Sequence, residues 1–329
     1  MKTLLTEMLN IELPVIMAPM FLVTNPDMVV AAAESGMAGC IPALNFRTIE
    51  ELEIGLKDIK ARTNAPFGVN LIVNKSNVYA QKQLHKCLDM GVNFFITSLG
   101  SPEEVIRESR KHGIKVFCDV IDEKYALKVE SMGADGVIAV NSGAGGHLGN
   151  IPASVLVPLL KSRCKIPVIS AGGVGTGAGI LSMLALGADG LSIGSPFIAS
   201  QEAGVSLDYK KACVEFGADD IVTTTKISGS RCSVINTPYL KKIGTEQNML
   251  ESYLNKHKQF KKYAKMITYY KGMKAVEKAA FAATYKTVWV AGTSIEFSQK
   301  IEPLKDIVKR LTDELLEAEM NLKKLLGEK

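Results

Sequence analysis

Short apolar runs alternate with longer amphipathic ones eight times over the first 200 residues, and few chain topologies accommodate that rhythm. Such apolar runs are what parallel strands buried on both faces look like, and the amphipathic stretches are the helices that return outside them. Strands are expected at PVIMA (14–18), GCIPA (39–43), FGVNL (67–71), FFITS (94–98), KVFCD (115–119), GVIAV (136–140), PVISA (167–171) and GLSIG (190–194). Helices are expected over 25–36, 48–62, 77–90, 102–112, 122–132, 153–163 and 177–187. Between helix and strand fall Gly36, Gly91, Gly113, Gly133 and Gly187, where a left-handed C-terminal cap belongs. Eight consecutive parallel strands with right-handed crossovers can close on themselves, whereas an open doubly wound sheet needs a topological switch and normally fewer strands. The expected fold is α/β: a (β/α)8 TIM barrel over residues 1–200.

The chain has 329 residues, more than the roughly 250 that eight strand-helix units usually take, so an appendage is expected. After the eighth strand the rhythm is lost. Residues 201–286 are rich in Lys and Tyr and read as a mainly helical insertion or small lobe, and 287–329 as a segment whose helix, 301–326, packs back on the barrel. Hydrophobic residues at 47% and charged residues at 22% support a sizeable core and argue against disorder.

The net charge of +5 owes much to the stretch from Lys241 to Lys286, where Lys256, Lys258, Lys261, Lys262 and Lys265 crowd together as a solvated helix face would. No zinc-finger spacing and no basic-aromatic motif accompanies them, so a nucleic-acid partner is not expected, while a phosphorylated or acyl-carrier partner stays open. Cys40, Cys87, Cys118, Cys164, Cys213 and Cys232 form no CxxC pair and read as buried thiols of a reducing compartment, with no metal site. Glu7, Glu12 and Pro14 spoil the N-terminus as a secretory segment, and no run reaches the 18 or more apolar residues of a membrane span. A cytoplasmic address is expected, with no membrane association.

Working residues of such a barrel gather at the C-terminal ends of its strands. Those ends carry APM (18–20), Asn70, TSLG (97–100), Asp119, NSGAGGHLG (141–149), AGGVGTG (171–177) and SIGS (192–195). Glycines after strands seven and eight let backbone N–H groups approach a phosphate beside a helix N-terminus; a lone loop at Gly172 and Gly173 would more often be only a tight turn, but the partner loop at strand eight favours the phosphate. Of four histidines, His85 and His112 fall on outer helices and His257 in the lysine cluster. His147 alone sits on the rim, in a loop where Gly145, Gly146 and Gly149 should leave its ring accessible; with an ordinary pKa of about 6.5, it can take a proton near neutral pH.

APM at 18–20, FGVN at 67–70, AGGHLG at 144–149, PVISAGGV at 167–174 and SIGS at 192–195 come in an order and spacing that resembles the nitronate monooxygenase family, formerly called 2-nitropropane dioxygenase. That family shares its fold with the FMN-dependent enoyl-acyl-carrier-protein reductases. The resemblance is close over residues 1–200, looser over 287–310, and weakest in 201–286. It implies FMN held around Ala18, Pro19 and Met20, by Asn70, by Gly145 and Gly146, and by a phosphate site at Gly172, Gly173, Gly194 and Ser195. It also implies that His147 is the catalytic group that handles the substrate proton. One position departs: many members, the reductases especially, place an acidic residue before AGGH, where this chain has Gly143.

The resemblance therefore implies oxidation of alkyl nitronates or nitroalkanes with dioxygen; a homodimer is a candidate assembly that the sequence itself does not decide. The alternative it implies is NAD(P)H-dependent reduction of an enoyl thioester, for which the lysine cluster could receive acyl carrier protein. Gly143, and APM in place of the glycine-rich strand-one turn common in the reductases, favour the monooxygenase. A flavin-binding protein without turnover would be expected to lack His147, and a dehydrogenase of the IMP type would need a rim cysteine, whereas Cys40 and Cys118 lie within strands.

Overall fold

A computed structural model of the protein describes residues 1–74, 77–227, 229–246 and 288–327, with the single positions 271 and 274. All eight expected strands form: β1 (Val15–Met17), β2 (Ala38–Pro42), β3 (Phe67–Ile72), β4 (Phe94–Ser98), β5 (Lys115–Val120), β6 (Gly136–Val140) and, after a two-residue strand β7 (Gly146–His147) outside the barrel, β8 (Val168–Ala171) and β9 (Gly190–Ile193). Each barrel strand pairs with the next in parallel, and β9 closes on β1 with Val15 opposite Leu191 and Met17 opposite Ile193.

Because strand side chains alternate faces, every barrel strand serves two cores. Ile16, Cys40, Ile96, Ile138 and Ile169 point inward and cluster with Phe94 and Phe117, whose rings meet edge to face at 5.8 Å. Val15, Met17, Ile41, Val69, Phe95, Val116 and Leu191 point outward into the layer beneath the helices. Burial on both faces is why the runs in the sequence are nearly continuous rather than alternating. Space inside is short: a Cβ on Gly68 would lie 2.2 Å from the Phe94 ring.

The lower end of the barrel is plugged by α1 (Leu4–Leu9), which is not among the expected helices. Its Leu5 and Leu9 join the inward cluster, and a Cβ on Gly190 would come within 2.3 Å of Leu5. The outer helices follow the expected order: α2 (Pro26–Glu34), α3 (Ile49–Arg62), α4 (Ala80–Asp89), α5 (Glu103–Lys111), α6 (Glu123–Ser131), α7 (Ala153–Arg163) and α8 (Gly177–Ala185). Asn25, Thr48, Asp122 and Thr176 cap four of their N-termini by accepting a backbone N–H. The five cap glycines all have positive φ, from +62° at Gly91 to +96° at Gly187.

After β9 come α9 (Leu207–Glu215), an antiparallel hairpin of β10 (Ile221–Thr224) and β11 (Cys232–Ile235), and α10 (Pro238–Ile243). The hairpin is absent from the expected elements, its strands being only four residues long and polar in part. The lysine cluster and His257 lie outside the described residues. The C-terminal helix, Leu304–Leu325, returns to the barrel as expected, burying Leu304, Ile307, Val308, Leu311 and Leu315. It lies so close to α8 that the Gly177 N–H donates to Glu314 Oε2 at 2.8 Å, and a Cβ on Gly177 would reach 2.0 Å from the Leu315 nitrogen.

Candidate active site

A cavity of about 960 Å³ opens at the C-terminal ends of the strands, and every site residue expected from the sequence lines it: Ala18, Pro19, Met20, Asn70, Gly145, Gly146, His147, Gly172, Gly173, Gly194 and Ser195. It is large enough for a cofactor together with a small substrate.

The two glycines after β8 have different tasks. Gly172 has φ +113°, and a Cβ there would lie 2.4 Å from the Ala144 nitrogen, so its turn is a packing requirement. Gly173 has φ +77°, but a Cβ would meet nothing nearer than Gly143 Cα at 3.8 Å, so space beside it is open. Asn141, buried after β6, locks the two loops together: its Nδ2 donates to the Gly172 carbonyl at 3.0 Å and its Oδ1 accepts from the Gly143 N–H at 2.7 Å. Gly143 in turn packs on Gly173, a Cβ at 143 lying 2.9 Å from Gly173 Cα. An acidic side chain at 143 would push the Gly173 loop aside, which accounts for the glycine at that position.

Ser195 is less free than its loop position suggests. Its Oγ accepts the Gly292 N–H at 2.9 Å, leaving the hydroxyl hydrogen for another acceptor. Gly145 fits the same junction, since a Cβ there would lie 2.7 Å from the Gly292 nitrogen and 2.8 Å from Ser195 Oγ. The return segment through Gly292 and Ser294 is thus a third wall of the site, a role its local sequence does not signal.

His147 occupies β7 and not an open loop. It lies opposite Cys232 of β11, with Gly146 opposite Ser233, so the insertion's hairpin fixes its backbone. The flanking glycines serve the chain path: Gly146 has φ +74°, and a Cβ on Gly149 would lie 2.4 Å from the Val140 carbonyl oxygen. The imidazole is half-buried, and loss of solvent lowers its pKa from the ordinary value, which keeps it neutral at neutral pH. His85 and His112 are exposed on the outside, as expected.

Asp119, noted at the end of the fifth strand but given no role by the sequence, is a further functional candidate. Asn70, Ser98 and Asp119 stand on neighbouring strands and form a row: Asn70 Nδ2 donates to Ser98 Oγ at 2.8 Å, and Ser98 Oγ donates to Asp119 Oδ2 at 2.5 Å. Burial pushes the Asp119 carboxyl up to about 6, with the Ser98 hydrogen bond opposing the rise. The one signal in the sequence is a carboxylate at the C-terminal end of the KVFCD strand.

Among the described residues no group of His, Cys, Asp and Glu could hold a metal ion, and no helix is long and apolar enough to cross a membrane. All six cysteines are unpaired; five are buried as expected, while Cys164 is partly exposed because it sits at the C-terminal cap of α7.

The nitronate monooxygenase family model matches residues 2–314. The (3aS,4S,5R,7aS)-5-hydroxy-7a-methyl-1-oxo-octahydro-1H-indene-4-carboxyl-CoA dehydrogenase of Rhodococcus jostii is 30% identical over 249 residues, 76% of this chain and 70% of that protein. A probable nitronate monooxygenase of Staphylococcus saprophyticus is 28% identical over 298 residues, 77% of this chain and 84% of the relative. FabK from Thermotoga maritima superposes with a TM-score of 0.86 at 28% identity, covering 99% of each chain. Nitroalkane oxidase from Streptomyces ansochromogenes shares the fold, with a TM-score of 0.77 at 24% identity over 97% of this chain and 99% of the other.

Proposed function

This chain belongs to the nitronate monooxygenase family and is a flavin-dependent oxidoreductase, and we propose that it holds FMN and oxidises alkyl nitronates and nitroalkanes with dioxygen, His147 handling the substrate proton. The observation that carries this reading is a neutral, half-buried imidazole held by the β7–β11 pairing at the wall of a cavity large enough for flavin and substrate.

The residues fit FMN. Gly173 leaves room where a Cβ would intrude, Gly194 is more closely packed, a Cβ there lying 3.3 Å from Met20 Sδ and 3.4 Å from Ala18 Cβ, and the capped N-terminus of α8 follows the first glycine loop. Together with Gly172 and the Ser195 hydroxyl hydrogen, these groups would receive the phosphate. Ala18, Pro19, Met20, Asn70, Gly145 and Gly146 would border the ring system. When bound, FMN supplies the redox chemistry. The protein's own part is to orient the substrate and remove its proton: a ring nitrogen of neutral His147 accepts the carbon-bound proton of a nitroalkane, a step a preformed nitronate does not need. Apolar lining from Ile96, Ile138 and Val140 limits water beneath the reacting groups. Barrel 1–200, insertion 201–286 and return segment 287–329 would act as one unit, since the hairpin and Gly292 both complete the site, and the six free cysteines suit a reducing compartment such as the cytoplasm.

NAD(P)H-dependent reduction of an enoyl thioester, from acyl carrier protein or coenzyme A, is the second reading. It is favoured by the Rhodococcus relative named for a CoA thioester and by exposed Lys128 and Arg231 beside apolar Leu99 and Ile121 at the cavity mouth. Mixing the anaerobic yellow protein with a nitronate, and separately with NAD(P)H, discriminates. Bleaching of flavin absorbance by the nitronate supports the monooxygenase, and bleaching by NAD(P)H alone supports the reductase.

A further inference from the structure

Asn70 on β3, Ser98 on β4 and Asp119 on β5 form a hydrogen-bonded row across the cavity floor, and Asp119 has no part in the proton handling assigned to His147. We propose that Asp119 is the charge-balancing residue of the flavin seat, taking up one proton when the bound flavin receives two electrons and releasing it on reoxidation. The inference rests on the flavin-binding reading of this cavity.

The row is polarised toward the carboxyl group. Asn70 donates to Ser98 and Ser98 donates to Asp119 Oδ2, while Oδ1 has no hydrogen-bond partner among the described residues. Among the described residues, the titratable groups near Asp119 do not supply a compensating charge. Cys40 from β2, Cys118 from β5 and Tyr125 from α6 are each driven by burial toward the neutral form. His147 on β7 is likewise kept neutral. Asp122 adds a like charge, and the permanent cations lining the cavity among the described residues, Lys128 and Arg231, are solvent-exposed.

Two electrons add two negative charges to a flavin, and a single proton on the ring neutralises one of them. The other would lie in a cavity whose floor carries a carboxylate and, among the described residues, no cation, where like charges repel more strongly than in water. Burial has already lifted Asp119 to about 6, close to its protonation point at neutral pH. Reduction therefore raises the Asp119 pKa further. A proton from water bonds to a carboxylate oxygen, and in a dithionite titration the reductant is oxidised to sulfite as it delivers the two electrons.

The test is the midpoint potential of the flavin in the holoprotein, measured by dithionite titration across the pH range around 5 to 8 for the wild type, Asp119→Asn and Ser98→Ala. The wild-type potential should fall more steeply with pH than that of Asp119→Asn. The two should converge on the acid side, where both side chains are neutral, and separate as pH rises, with the variant more positive. Ser98→Ala removes a donor that favours the ionised carboxylate, so its steep region should move to higher pH. Parallel pH dependences in wild type and Asp119→Asn would overturn the inference. Loss of flavin from Asp119→Asn with retention by Ser98→Ala would also overturn it, making Asp119 a binding residue. A protein carrying FAD would sink the FMN reading while leaving the potentials measurable, and one binding no flavin would overturn both.

Discussion

His147 and Cys232 face each other across the antiparallel pairing of β7 and β11, so the hairpin of the insertion holds the histidine that the barrel presents. The pairing acts through the backbone. His147→Ala should therefore keep the fold and the flavin while activity with a neutral nitroalkane falls by about 10²–10⁴-fold, the usual contribution of a positioned base. Activity with the preformed nitronate should fall much less. Steady-state rates with both substrates, beside the flavin absorbance, check this; equal losses would make His147 a positioning residue.

Cys232→Pro removes a backbone N–H and bends a strand that borders both β7 and β10. The barrel has its own closed ladder and should survive, with flavin bound. Nitroalkane turnover should drop by at least tenfold because His147 loses its register. Full activity in a folded Cys232→Pro protein would remove the hairpin from the site.

Gly172 and Gly173 should fail in different ways. Gly172→Ala places a Cβ 2.4 Å from the Ala144 nitrogen at φ +113°, so thermal stability should fall, by about 1–3 kcal/mol for a strained backbone of this kind. Gly173→Leu meets open space and should spare more of the stability while reducing retention of flavin. Melting curves and flavin-to-protein absorbance ratios separate the two effects.

The pH dependence carries a sign for each titrating group. His147 has a lowered pKa in the folded state, so nitroalkane kcat/KM should rise with pH through a midpoint below about 6.5 and then level. Folding favours its neutral form, so the fold loses stability as pH falls below the unfolded value of about 6.5. Asp119 has the opposite linkage. Its pKa is raised to about 6 from 3.8, so stability is intact below about 4 and is lost as pH rises through 6. Asp119→Asn should accordingly stabilise the protein at pH 7, by about 1–3 kcal/mol from a shift of this order, with the gain vanishing near pH 4. Thermal melts of both proteins at the two pH values check it.

Much of the architecture was legible because its causes are local. Two-faced burial makes the strands continuous apolar runs, and left-handed caps demand glycine at Gly36, Gly91, Gly113, Gly133 and Gly187, so the barrel follows from patterns within a few residues. The glycine loops at 171–177 and 192–195 and the rim position of His147 are legible for the same reason. Tertiary structure decided the rest. The helix at Leu4–Leu9 has meaning only against the barrel floor it plugs, and the Asn70, Ser98 and Asp119 row exists only because the pairing of β3, β4 and β5 brings three inward side chains within hydrogen-bond reach. Whether Gly172 or Gly173 leaves room for a ligand depends on Ala144 and Gly143 from another loop. Ser195 meets Gly292 and His147 meets Cys232 across long stretches of chain, and pairings of that range leave no periodicity in the sequence, since only closure of the fold brings the partners together.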